Sequence, residues 1–299
     1  MRKIISLLIY TILLSLILSF SNVATVIAQE AEDIHLMRQK DRTEAQEEYY
    51  IKLLELALEN TIEDYGPYKL NLTDSSFYQE EGLDKLRKGQ GDIDILYTMT
   101  SKAREMVLQP IRIPILKGLG GHRVSFVRLG EEDIMANAKL KADLKEYTFV
   151  QGADWPDTKI LKANGINVKT SQSYNNLFQM VVDDQVDAFP RAVTELWGEL
   201  REYYDIDIAV EKFVVIQYPS AFYFFVNKSN DKLAKRIEEG LNRAVEDGSF
   251  DTLFNVYNQH YIRNLNLENR TYIKLKNPLL PEKTPVNRKE LWLNVGQAR

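Results

Sequence analysis

Apolar positions along the chain recur with two periods, two and about 3.6, and the change from one to the other marks the elements. Ile34-His35-Leu36-Met37 predicts a short strand. Tyr50, Leu53, Leu54, Ala57 and Leu58 follow at helical spacing and predict a helix to about Asn60, opened by Thr43 and Gln46 in a capping-box pattern. Tyr68 to Leu72 alternates as a strand does. Residues 76–88 predict a short helix carrying Leu83 and Leu86, stopped by Gly89 and Gly91, and Asp92 to Tyr97 is the next strand. The order β-α-β-α-β implies a parallel sheet covered by helices.

The order then repeats. Tyr147 to Gln151 predicts a strand, and Gly152 to Pro156 a turn into a helix, with Asp154 as its N-cap and Pro156 in the first turn. That helix stops at Gly165. Ile166 to Val168 is a strand, Leu177, Phe178, Met180 and Val181 share a helix face, Asp187 to Phe189 is a strand, and Arg191 to Tyr204 is a helix. The run from Phe213 to Val226 is too apolar for a loop and predicts strands returning to the first sheet. Leu233, Ala234, Ile237, Leu241, Ala244 and Val245 define a helix ending near Gly248, and Ser249 caps a short helix with Leu253, Phe254 and Tyr257. From Leu265 the periodicity fades among Pro278, Pro281 and Pro285, yet Tyr272, Ile273, Leu275, Leu291 and Trp292 remain, which predicts an extended tail packed on the body.

Two half-motifs match. Leu86 to Ile95 and Val182 to Phe189 each end a helix and place an aspartate, Asp94 or Asp187, just inside a strand. The expected role of both is to cap backbone amides at the turn.

Ahead of these elements, Arg2 and Lys3 precede a run of mainly apolar residues from Leu7 to Phe20, and small and polar residues then end in Val26-Ile27-Ala28. This is the layout of a signal peptide cleaved before Gln29. The run is short of the roughly 20 residues needed to span a bilayer. The expected layout is a signal peptide over residues 1–28, a first lobe from 29–123 and 222–264, a second lobe over 124–221, and the tail over 265–299.

Composition narrows the chemistry. The chain has 299 residues and 38 Lys+Arg against 43 Asp+Glu, which disfavours nucleic acid as a partner. It has no cysteine, which excludes disulfides, thiolate metal sites and lipid attachment at an N-terminal cysteine. The three histidines, His35, His122 and His260, are far apart in sequence and do not suggest a zinc site. The expected product is an exported, periplasmic protein without a cofactor.

The motif order resembles that of the periplasmic solute-binding proteins of the polar amino-acid type (extracellular solute-binding protein family 3). The matching stretches are Gly91 to Arg104, Leu144 to Gly152, Val186-Asp187-Ala188 and Ala244 to Phe254, spread over residues 32–261. The resemblance implies the α/β, two-lobed type II periplasmic-binding-protein fold. Each lobe is then a mostly parallel sheet flanked by helices, and two crossover strands join the lobes. It implies a monomer that binds a small solute in the cleft and serves an inner-membrane ABC permease or a signalling receptor.

The same resemblance aligns Arg104 with the arginine that clamps a ligand carboxylate, a task suited to the planar guanidinium fork. Tyr97, Thr98 and Thr100 lie just before it at the strand end, where the hydroxyls can donate. Gly152 and Asp154 sit at a strand-to-helix turn whose free amides favour an anion. Asp154 either caps that helix or accepts from a ligand ammonium, and Trp155 is either a cleft wall or a core residue. Two features depart from the pattern. No acid stands between Asp187 and Glu195, and Arg191 occupies that stretch instead. The aromatic loop after the first strand is replaced by Gln39-Lys40-Asp41-Arg42-Thr43. A ligand with two anionic groups, or one that is not an amino acid, suits Arg104 and Arg191 better. Asp154 and Glu195 are the candidate acids for an enzyme on this fold, and neither has a histidine or second carboxylate at catalytic spacing, so no catalysis is expected.

Overall fold

In the computed structural model residues 30–40, 44–90 and 92–293 are described; the signal-peptide reading, its cleavage site at Ala28, and Thr43 of the capping box fall outside them. The first sheet is built from β1 (Glu32–Gln39), β2 (Tyr68–Phe77) and β3 (Ile95–Met99), with α1 (Glu44–Glu59), the single turn α2 (Ile62–Tyr65) and α3 (Gln79–Lys88) between them. The strands pair in parallel in the order β2-β1-β3. α4 (Lys102–Val107) and β4 (Leu108–Pro110) follow.

All five residues of β3 are buried because the sheet is covered on both faces. Ile95, Tyr97 and Met99 point to one face, where Leu53, Leu54 and Leu58 of α1 pack. Leu96 points to the other, against Leu83 and Leu86 of α3. The alternation follows from the two-residue period of a strand.

The chain then crosses into a second sheet on β5 (His122–Arg128), continues through β6 (Thr148–Gly152), α5 (Pro156–Ala163), β7 (Asn167–Ser171), α6 (Tyr174–Val182), β8 (Phe189–Ala192), α7 (Leu196–Glu202) and β9 (Ile208–Val210), and leaves on β10 (Val214–Gln217). β6 and β7 are parallel, and Phe149 bridges in parallel to Ala188 beside β8. β5 is antiparallel to β8, β9 and β10. The reversal is topological: a chain that enters on one strand and leaves on its neighbour must run both ways. β11 (Phe222–Asn227) returns to the first sheet between β3 and β4, antiparallel to both.

α8 (Asp231–Glu246) and α9 (Ser249–Asn264) complete the layer over the first sheet. α8 presses on α1 at Gly240, where an added Cβ would lie 1.9 Å from the Ala57 carbonyl oxygen. Only glycine allows that approach.

Four expectations need correction. Ser249 does not cap its helix: Gly248 holds the cap position and the helix runs 16 residues to Asn264. Of the apolar run from Phe213 to Val226 only β11 joins the first sheet, while β10 stays in the second, antiparallel to β5. The helix read from Arg191 begins at Leu196, because β8 runs on through Arg191 and Ala192 to pair with Val124 and Arg123. The residue at the cap of α5 is Trp155, not Asp154, and no side chain caps that terminus. The two aspartates read as turn caps do bind backbone amides, but of neighbouring strands and not of their own turns: Asp94 accepts from the His35 amide of β1 at 2.8 Å and Asp187 from the Thr148 amide of β6 at 2.6 Å.

The C-terminal stretch enters the second sheet. β12 (Thr271–Lys274) lies parallel to β10, and Arg270 donates to the Glu211 carbonyl at 2.6 Å. The chain then ties points far apart in sequence. Asn277 donates to the Pro219 carbonyl (2.8 Å), the Lys102 amide to the Leu279 carbonyl (3.2 Å), and the Leu293 amide to the Lys117 carbonyl (2.8 Å). Trp292 lies against Gly118, where an added Cβ would lie 2.7 Å from its ring. Lys117 and Pro219 sit on the two crossing segments between the sheets.

Candidate functional site

The two sheets close on one another within one compact unit, and their facing edges meet around three buried arginines. Arg104 comes from α4, behind the end of β3. Its Nη1 donates to Thr98 Oγ1 and to the Met99 carbonyl, both at 2.8 Å, and its Nη2 reaches Glu80 Oε1 at 2.6 Å. Burial lowers its pKa, and Glu80 opposes that shift without cancelling it. Thr98 in turn donates to Gln79 Oε1. Thr100 is turned away, donating to Glu105 at 2.7 Å, and Tyr97 stacks on Tyr50 at 3.8 Å in the core.

The second lobe supplies Arg123 and Arg191, on the paired strands β5 and β8. Arg191 meets Glu199 through Nε (2.9 and 3.0 Å) and Nη2 (2.5 Å), and Glu195 through Nη2 (3.1 Å). Burial would lower its pKa, but Glu195 and Glu199 outweigh that and hold it well above the ordinary value. Arg123 pairs with Asp157 at 2.7 Å and approaches Glu195 at 3.6 Å. Asp157 also accepts from the Tyr218 hydroxyl. Asp157 lies in the first turn of α5, where the helix dipole favours an acid, and its carboxylate meets Arg123 and Tyr218.

These pairs fill the inner cleft. The space left between Gln79, Met99 and Phe222 on one side and Trp155, Arg123 and Arg191 on the other is about 40 Å³. That admits a water molecule or two, whereas small-molecule sites run from about 300 Å³ upward.

Toward solvent the cleft widens into a cavity of about 350 Å³. Tyr78, Gln79 and Glu80, at the start of α3, form one wall. Gly152 to Trp155 and Ser171 to Asn175, the ends of β6 and β7 and the turns beyond them, form the other. This is the carboxyl edge of a parallel pair, where open α/β sheets place ligands. Trp155 and Gln79 border both spaces. The Trp155 ring packs over Gly152, where a Cβ would lie 2.5 Å from it, and the Arg191 guanidinium carbon lies 4.7 Å from the ring centroid.

Of the residues singled out in the sequence, Gly152, Asp154 and Trp155 line the open cavity. Arg104 and Thr98, expected to contact ligand, line neither space; they bond to Glu80 and Gln79 on the wall instead, and Arg191 lines the inner space beside Trp155. Tyr97 and Thr100 line neither space. Glu80, Arg123, Asp157, Glu199 and Tyr218 were not foreseen. Asp157 had a signal, an acid directly after the Pro156 that opens a helix. Glu199 had none, since its pairing with Arg191 depends on a strand meeting a helix.

No protein-family model matches the sequence. No curated protein sequence matches it either. Solved structures do match. An ancestral arginine-binding protein bound to arginine superposes with a TM-score of 0.55 at 15% identity, covering 75% of this chain and 97% of its own. A periplasmic binding protein of Salmonella typhimurium with high arginine specificity gives 0.52 at 15%, covering 75% and 97%. The VFT2 domain of Bordetella pertussis BvgS gives 0.55 at 15%, covering 76% and 92%. At such identities the likeness concerns architecture alone, and the chain has the two-lobed α/β fold of the periplasmic binding proteins.

Proposed function

We propose that the protein binds a small polar solute in the interlobe cavity and presents the closed form to a membrane partner, without chemistry of its own. The partner in this reading is an ABC permease, or a receptor that senses the bound state. The observation that carries it is the cavity of about 350 Å³ whose walls come from both lobes, so that occupancy and lobe closure are the same event. The arginines and their carboxylates are committed to one another, which favours binding over catalysis. The same reading makes the chain an exported one; no helix among the described residues is long and apolar enough to cross a membrane.

Native mass spectrometry of the protein purified from its own cell envelope tests the reading. A small-molecule adduct is expected, and stripping it should expand the particle in small-angle scattering. A protein that carries nothing, and whose scattering stays unchanged across a panel of polar solutes, refutes it.

A further inference from the structure

We infer that the outer cavity is a site for a small organic cation that carries no carboxylate of its own; this rests on the solute-binding reading above. The first observation is charge. The acidic and basic side chains on the cavity wall are Glu80 and Asp154, with no lysine, arginine or histidine among the described residues that line it. Asp154 is exposed and makes no hydrogen bond or ion pair among the described residues. The three neighbouring guanidiniums are already matched by Glu80, Asp157, Glu195 and Glu199. Counting Asp154, and Lys40 whose ammonium lies 4.9 Å from the Tyr78 ring centroid, five carboxylates face four cations. A solute carboxylate entering here meets two acids on the wall and no cation there; the Lys40 ammonium beside Tyr78 is exposed to water, so the carboxylate loses its own water with little compensation.

The second observation is the wall itself. Tyr78, Trp155 and Tyr174 bring aromatic rings to the cavity. Ring faces attract cations, and these rings already do so: the Arg191 guanidinium carbon lies 4.7 Å from the Trp155 centroid and 5.8 Å from that of Tyr174, and the Lys40 ammonium lies 4.9 Å from that of Tyr78. The third is the fork of Arg104. Thr98, the Met99 carbonyl and Glu80 occupy it. An α-amino acid would have to displace Glu80 to be held by its carboxylate, whereas an amine or guanidine can use Glu80 and Asp154 where they stand.

The test is calorimetric titration of the exported chain, stripped of bound solute, with agmatine, arginine and glutamate, and with putrescine and choline as further cations. Agmatine and arginine differ only by the carboxylate. The expected result is binding of agmatine about tenfold or more tighter than arginine and no binding of glutamate. Asp154→Asn should weaken agmatine about fivefold, the worth of one exposed charge contact, with no change in melting temperature. Arginine binding more tightly than agmatine, or glutamate binding at all, overturns the inference and leaves solute binding intact. So does an Asp154→Asn variant that binds agmatine within twofold of the parent. If none of agmatine, putrescine and choline binds, the inference fails. The broader reading then survives if a neutral or acidic solute co-purifies, and falls with it if none does.

Discussion

Replacing Arg191 by methionine separates a cation that holds the fold from one that waits for a ligand. Arg191 is 5% exposed and makes three hydrogen bonds of 2.5–3.0 Å to Glu199 and an ion pair of 3.1 Å to Glu195. Methionine keeps the bulk over Trp155 and removes the charge. Glu195 then retains Arg123 at 3.6 Å and the Ala192 amide at 3.1 Å. Glu199 keeps the Tyr174 hydroxyl at 2.6 Å and no cation. Stranding one partner of a buried pair costs about 3–5 kcal/mol, and the surviving Tyr174 donor argues for the lower end. At about 2–4 °C per kcal/mol for a chain of this size, the Arg191→Met variant should melt about 6–12 °C below the parent at neutral pH. Calorimetry on the two proteins gives the number. Adding Glu199→Leu should recover most of the loss, since an apolar pair substitutes well for a buried ion pair. A single variant melting within about 2 °C of the parent, or a double variant less stable than the single, would show that the charge is not structural and is free for a solute.

Two further outcomes follow from the packing. His122 donates from Nδ1 to the Gly118 carbonyl and accepts at Nε2 from Gln217, and burial lowers its pKa from 6.5 to about 4 despite the backbone bonds that oppose the shift. The unfolded chain therefore binds a proton that the folded chain refuses between those values. Stability should fall as pH drops from about 6.5 to about 4, by up to roughly 3 kcal/mol from this group, and His122→Gln should flatten that slope in denaturant titrations run across the interval. Gly240→Ala puts a methyl against the Ala57 carbonyl and should cost at least about 1–3 kcal/mol by forcing α8 from α1; an unchanged denaturation midpoint would contradict the close helix contact.

Periodicity carried the architecture because most elements here are amphipathic and short. Leu53, Leu54 and Leu58, or Leu83 and Leu86, announce both their helices and the sheet faces they cover. It failed where a long-range pairing outweighs local preference. Arg191 and Ala192 read as a helix start because Leu196, Trp197 and Leu200 follow at helical spacing, yet their backbone is claimed by β5, seventy residues back. The site was legible by place and not by content. Gly152 to Trp155 was recognisable as a strand-to-helix turn at a cleft. That Arg104 and Arg191 carry internal counter-ions was not, because Glu80 and Glu199 come from helices whose distance from those arginines is set only in three dimensions. The departure that was visible, a cation at residue 191 where an acid was expected, had its answer in a carboxylate eight residues on.

The strap made by β12 and the chain beyond it bears on the order in which the molecule can be made. Its partners are β10, Pro219, Lys102 and Lys117, all of which precede it by 50 residues or more. Whether the chain leaves a ribosome or a translocation pore, those partners emerge first. Until residues 271–274 arrive, β10 is an edge strand whose buried Val214, Val215 and Ile216 belong to a ladder with one side open. Such an edge is a template for pairing with other chains. At synthesis rates of about 5–20 residues per second the exposure lasts for seconds, long enough for a chaperone to matter. A nascent chain arrested near residue 265 would have nearly all of its core and still present an adhesive rim, so ageing of stalled chains, more than any mutation in the cleft, is where this fold is most exposed to aggregation.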